Sequence, residues 1–158
     1  MLSLALEEAE KAREKGEVPV GAVIVKDGEI IARAHNLKET LKDPTAHAEI
    51  LAIREACNKL NNWRLHGCEM YVTLEPCPMC AGAILQSRLS KIYIGTFDDT
   101  TGAAGSVVNI LQNHNLNYFL EVVWENDEKC SKILTKFFKD RRGEVMIYLP
   151  FLCYTENT

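Results

Sequence analysis

Val72-Thr73-Leu74-Glu75-Pro76-Cys77-Pro78-Met79-Cys80-Ala81-Gly82-Ala83 is the stretch in which one structural period gives way to another. Met70 to Leu74 reads as a strand. Pro78 stands where a first helical position would be, and proline is favoured there because that N–H has no intrahelical partner to lose. The helix that follows, to about Arg88, carries Met79, Ala81, Ala83, Ile84 and Leu85 around most of its circumference, which predicts burial. A strand therefore delivers a Cys-x-x-Cys to the start of a buried helix.

The neighbouring segments repeat the alternation. Leu2, Ala5, Leu6, Ala9 and Ala12 recur at helical spacing, with Gly16 as the stop. Val18 to Val25 is a near-continuous apolar run and predicts a strand buried on both faces. Lys26-Asp27-Gly28 is a turn signal, and Glu29 to Ala34 reads as the hairpin partner. Residues 36–44 are polar and loop-like. Ile50, Ile53, Cys57 and Leu60 mark a helix from about His47. Lys91 to Gly95 predicts a short fourth strand. Residues 96–105 hold two acids, three hydroxyl residues and two glycines, a loop. Ser106 is placed to cap a short helix through Leu111. Phe119 to Trp124 predicts a fifth strand. Asp127 is placed to cap a last helix striped with Cys130, Ile133, Leu134, Phe137 and Phe138. Strands alternating with helices imply a three-layer α/β/α architecture on a five-stranded sheet, mixed because the first two strands form a hairpin.

The 158 residues read as one domain, large enough to bury a core without disulfide staples. Apolar content of 47% and charged content of 25% are ordinary for a globular protein. Neither a signal peptide nor a membrane-spanning stretch is legible. Cys57, Cys68, Cys130 and Cys153 are scattered single thiols, which fits a reducing cytoplasm. The net charge of −4 gives no global attraction to nucleic acid, so any such binding must rest on local patches. One patch is basic: residues 129–142 hold Lys129, Lys132, Lys136, Lys139, Arg141 and Arg142 against the single acid Asp140. The tail, 143–158, is apolar from Val145 to Tyr154 and is expected to dock on the body or on a second subunit.

Thr45-Ala46-His47-Ala48-Glu49 supplies the other half of the chemistry. One imidazole and two thiols can hold zinc and leave its fourth position open, the arrangement of a catalytic site. Glu49 would then serve as general acid and base. H-x-E…P-C-x-x-C is the signature of the zinc nucleobase deaminases. Each half alone is weak. His47, Cys77 and Cys80 are also compatible with a core histidine and two buried thiols, with a redox pair, or with a structural site borrowing Cys68 as fourth ligand. Glu49 alone reads as a first-turn acid complementing the helix dipole. Residues two apart on a regular helix diverge, so His47 and Glu49 converge only if the helix begins near His47.

With Asp43-Pro44-Thr45-Ala46-His47-Ala48-Glu49, with the 72–83 stretch quoted above, and with Thr101-Gly102-Ala103-Ala104-Gly105-Ser106, the chain closely resembles the bacterial tRNA-specific adenosine deaminases. Glu17 to Val23, and Phe137-Phe138 followed by Arg141-Arg142, extend the likeness to about Arg142. The resemblance implies a cytidine deaminase-like fold and a homodimer binding one Zn2+ per subunit at His47, Cys77 and Cys80, with no organic cofactor and no membrane association. It implies conversion of the wobble adenosine of an arginine tRNA anticodon to inosine, with Glu49 moving the protons. It assigns Asn36 to a hydrogen bond with the target nucleotide, Val20 to packing beside the base and Asp98 to the ribose–phosphate side. Ala48 and Pro76, beside the ligands, count with the substrate contacts. Lys139, Arg141 and Arg142 are assigned to the RNA of the anticodon stem-loop. Without the resemblance, Asn36 reads as a turn residue, Val20 as strand core, Asp98 as a solvated loop acid and the lysines as a solvated helix face. Asn117-Tyr118 stands where the family commonly has Asn-His, and the apolar tail replaces a more basic C-terminus. Two other readings stay open: a deaminase of free guanine or cytosine, and a non-catalytic RNA-binding subunit with structural zinc.

Overall fold

The computed structural model describes residues 1–148, and the side chains of 1–143. The apolar tail from 145 to 154 falls largely outside those residues, so its expected docking does too. The elements are α1 (Leu2–Glu14), β1 (Gly21–Lys26), β2 (Glu29–His35), α2 (Lys38–Leu41), α3 (Ala48–Leu60), β3 (Cys68–Leu74), α4 (Pro78–Gln86), β4 (Lys91–Thr96), β5 (Glu121–Trp124) and α5 (Glu128–Tyr148). The sheet runs β2-β1-β3-β4-β5. β1 is antiparallel to both β2 and β3, whereas β3, β4 and β5 are parallel. This is the mixed five-stranded sheet expected, in the cytidine deaminase-like arrangement.

β1 shows why the chain needs helices on both faces. Ala22 and Ile24 join the main core with Ala48, Ala52 and Ala56 of α3 and Ala81, Ile84 and Leu85 of α4. Val23 and Val25 point the other way and join Ala5 of α1, with Leu2, Leu4 and Tyr71 packed around them. Alternate residues on a strand face opposite sides, so a run of five buried residues requires two covered faces. Gly21 permits close approach of the first layer: a Cβ there would fall on the Ala5 carbonyl and on Glu8. Tyr71 and Tyr93 are in register on neighbouring strands and stack with centroids 4.2 Å apart.

Three expectations are corrected. The first strand begins at Gly21, not Val18, because Pro19 has no N–H and Val20 donates its own to Val18 across a tight turn. The polar segment 36–44 contains the short helix α2, closed by Lys42 in the left-handed region. Ser106 caps no helix. The N–H groups of Val107 and Val108 both go to the Gly102 carbonyl, and Ala104 bridges Asn109, which folds the segment into a compact loop. Elsewhere Asp127 does cap α5, its Oδ1 accepting the Lys129 N–H at 2.8 Å. Of the predicted stripes, Met79 on α4 and Phe138 on α5 are exposed rather than buried.

Candidate metal centre and its pocket

His47 and Cys77 occupy equivalent places. Each is the residue immediately before a helix, with extended backbone, and the carbonyl of each accepts the first helical N–H, from Leu51 at 3.0 Å and from Ala81 at 2.9 Å. Such positions favour Ser, Thr, Asp or Asn, whose side chains bond back to the helix, and doing without that bond costs about 1 kcal/mol. Neither His47 nor Cys77 makes it. Their side chains turn towards each other instead.

The three donor atoms come together. His47 Nδ1 lies 3.7 Å from Cys77 Sγ and 3.5 Å from Cys80 Sγ, and all three ligand atoms lie within 4.8 Å of one another. Zinc bonds of about 2.0–2.3 Å in a tetrahedron set its ligands roughly 3.5 Å apart, so the group fits a tetrahedral metal with one place open. Cys68 is not part of it; it lies at the far end of β3, with its thiol donating to the His66 carbonyl. The Cys77 thiol is pulled down to about 4, first by the hydrogen bond from Cys80 and then by that from His47. Cys80 is pushed up by its bond to Cys77 and by burial, and His47 is raised by its bond to Cys77. The surroundings of Cys77 thus favour its thiolate, the form in which a cysteine binds a metal.

Glu49 is the second residue of α3, only 3% exposed. Because the helix starts at Ala48, its first turn carries Glu49 to the same cavity as His47, which meets the condition set by their spacing. Burial is the largest influence on its carboxyl and pushes it up to about 7.

His47, Glu49 and Cys77 floor a cavity of about 150 Å3 at the edge of the sheet where β2, β3 and β4 end and β1 begins. A cavity of that size is on the scale of one flat ring. Ligands gather outside the carboxyl ends of parallel strands for this geometric reason. Of the sequence-predicted residues, Val20, Asn36, Ala48 and Asp98 line it; Pro76 does not, being buried with its carbonyl accepting the Ala103 N–H at 2.8 Å. Asn36 both lines the cavity and holds a turn, donating to the Val18 carbonyl and accepting from the Lys38 N–H. The Asp98 carboxylate accepts from Thr100 and Thr101, bonds that outweigh its burial and hold it below the usual range. Val18, Lys38, Leu74, Glu75 and Thr101 also line the cavity and were missed. Their only sequence signal is closeness to predicted ligands or contacts. Lys139, Arg141 and Arg142 are exposed on α5 and do not line the cavity. Arg141 donates to the Gly16 carbonyl at 3.3 Å and lies over the Phe137 ring. Tyr118, the unusual residue, donates its hydroxyl to the carbonyls of Arg88 and Leu89.

Residues 1–142 match the family described as MafB19-like deaminase. The chain is 54% identical over 139 residues to the tRNA-specific adenosine deaminase of Bacillus subtilis, covering 87% of this chain and 86% of that one. It is 52% identical over 145 residues to the enzyme of the same name from Aquifex aeolicus, covering 92% and 96%. A solved structure from studies of A-to-I editing by tRNA:A34 deaminases at the wobble position of transfer RNA matches with a TM-score of 0.81 and 44% identity, over 84% of this chain and 97% of that one.

Proposed function

The chain belongs to the family of the bacterial tRNA-specific adenosine deaminases, and from that premise we propose that it converts adenosine to inosine at the wobble position of an arginine tRNA anticodon, with zinc at His47, Cys77 and Cys80. The observation that carries the reading is the convergence of two helix starts: His47 and Cys77 meet through side chains that forgo capping, with Glu49 buried beside them over a ring-sized cavity.

In the reaction water adds its oxygen to C6 of adenine, the C6–N bond breaks, and ammonia leaves. Zinc, when bound, supplies the Lewis acidity that makes water a nucleophile at neutral pH. Glu49 takes the proton from the attacking water, gives one to N1 of adenine and later protonates the departing amine. A carboxyl near 7 is matched to moving protons in both directions at neutral pH. Ala48 and Val20 form apolar wall beside the ring, and Asn36 offers its amide to the nucleotide. For the base to enter this ring-sized cavity, the nucleotide must be splayed out of the anticodon loop. Asp98 stands at the ribose–phosphate side, and Arg141, Arg142 and Lys139 lie on the outer helix to meet RNA backbone.

The enzyme is proposed to be a single-domain, cytoplasmic homodimer with one zinc per subunit, and the exposed Met79, Val107 and Val108 offer apolar surface for pairing. Among the described residues no helix is long and apolar enough to cross a membrane. The test is nucleoside mass spectrometry on an arginine tRNA with an ACG anticodon, incubated with the zinc-loaded protein, with free guanine and cytosine as parallel substrates. Inosine at the wobble position is the expected result. Turnover of a free base without inosine in the tRNA would overturn it.

A further inference from the structure

Glu75 stands between the strand β3 and the metal-binding Cys77, and is 2% exposed. It is outside the metal-binding group, yet its carboxylate is fully engaged. Oε1 accepts the N–H groups of Ala104 at 2.9 Å and Ser106 at 3.1 Å, and Oε2 accepts that of Asp98 at 2.9 Å. The three donors come from one loop, 97–106, which wraps the carboxylate. Gly102 shows how closely: a Cβ there would fall on Glu75 Oε2 and on the Asp98 carbonyl.

That loop has little else to hold its outer half. Phe97, Asp99, Thr100 and Thr101 are exposed; within the loop the Gly102 N–H donates to the Asp98 carbonyl at 3.0 Å, and the backbone bonds to the neighbouring segment, Glu75 N–H to the Thr96 carbonyl and Ala103 N–H to the Pro76 carbonyl, flank Asp98 rather than hold it. Asp98 hangs from Glu75 by its own N–H and in turn orders Thr100 and Thr101 with its carboxylate. Asp98 and Thr101 are the two loop residues in the cavity wall. A chain of hydrogen bonds therefore runs from a buried carboxylate, through backbone, to the side chains at the mouth.

We propose that Glu75 is a positioning residue: its carboxylate is the template on which the 97–106 loop folds, and it thereby sets Asp98 and Thr101 against the bound nucleotide. It contributes nothing to the proton transfers, since its oxygens are occupied by loop amides. The inference rests on the proposed deaminase reading for the identity of the nucleotide, but not for the folding of the loop.

The test compares the zinc-loaded full chain with Glu75→Gln and Gly102→Ala, using an anticodon stem-loop RNA with a wobble adenosine. Gln places an N–H2 where amide donors converge; Ala at 102 pushes the loop off the same carboxylate from the other side. Both are expected to raise KM by roughly tenfold or more, the scale of losing hydrogen bonds to a charged group, with kcat changed by less than about threefold and zinc content unchanged. Leu65→Ala, at the far edge of the core, is the control: it lowers the Tm without moving KM. Hydrogen exchange is the second readout, with the amides of 98–106 expected to lose protection while those of β3 keep theirs. A folded, zinc-bearing Glu75→Gln with wild-type KM overturns the proposal. If that variant does not fold, an unchanged KM in Gly102→Ala overturns it alone. If the wild type makes no inosine, the functional reading has failed separately, and unchanged loop protection in the variants still sinks the positioning role.

Discussion

His47, Glu49, Cys77 and Cys80 stand on the first turns of two helices whose inner faces are core, whereas Asn36, Lys38, Asp98 and Thr101 stand on short connecting segments held by hydrogen bonds. On the floor of the cavity, Ala48, Ala52 and Ala56 of one helix and Ala81, Ile84 and Leu85 of the other are buried in the main cluster, so packing fixes where the ligands point. At the mouth, two buried carboxylates do that work. Glu75 gathers the 97–106 loop. Glu17, 1% exposed, gathers α2, accepting the Thr40 N–H at 2.6 Å, the Thr40 hydroxyl at 2.8 Å and the Glu39 N–H at 3.2 Å. The lesson is that floor and mouth should fail differently. Damage to the floor stops the chemistry, while damage to the mouth weakens capture of the nucleotide.

The sharpest cut is at Glu49. Glu49→Gln should lower kcat by about 10²–10⁴-fold, the range for losing a general acid–base group, while zinc content and the circular dichroism spectrum stay as in the wild type. Retained turnover would remove Glu49 from the floor's chemistry. Next, Cys80→Ala should leave the protein unable to retain zinc after dialysis, with activity lost in proportion to metal measured by atomic spectrometry. An active, zinc-loaded Cys80→Ala would break the assignment of the three ligands.

The mouth should give smaller effects of another kind. Glu17→Gln is expected to cost about 2 kcal/mol of stability, from hydrogen bonds to a buried charge, read by urea unfolding, and to raise KM more than it lowers kcat. Equal losses in both would mean that this carboxylate serves the fold alone. The smallest effect is at Glu8, which belongs to neither region. It joins α1 to β2 through Arg33 at 3.0 Å and His35 at 2.8 Å, with Lys11 at 2.7 Å. Burial opposes its ionisation, but those hydrogen bonds hold its carboxyl below the ordinary 4.5. A lowered folded-state value means stability that is fully present above about 4.5 and lost as pH falls through the folded value. The Tm gap between wild type and Glu8→Gln should therefore be constant near neutrality and close as the pH drops below about 4, with kcat and KM unchanged at pH 7. A gap independent of pH would show that ionisation of Glu8 contributes nothing.

The same division explains what was legible in the residues. The floor was readable because its constraints are local: Pro78 marks where α4 begins, and the alternation of apolar runs fixes five strands and four of the helices. The mouth was not. Glu75 reads like any residue preceding a proline, and Glu17 like a polar residue after a helix stop. The misplaced helix after Ser106 has the same origin, since a serine before apolar residues is a good local cap and loses only because Glu75 and the Gly102 carbonyl claim the backbone donors. α2 was missed because none of its residues is buried, leaving no apolar period to detect.

The amino-acid sequence alone singled out His47, Cys77 and Cys80 as candidate metal ligands and Glu49 as the candidate acid, through the paired motifs, and determined the layered architecture that presents them, because periodicity and helix-start chemistry act over a few residues. Only the tertiary structure decided which buried carboxylates hold the segments at the cavity mouth. Glu75 meets Ala104 across 29 positions and Glu17 meets Thr40 across 23. Hydrogen bonds between distant segments leave no periodic trace, because their partners become neighbours only after the strands have paired.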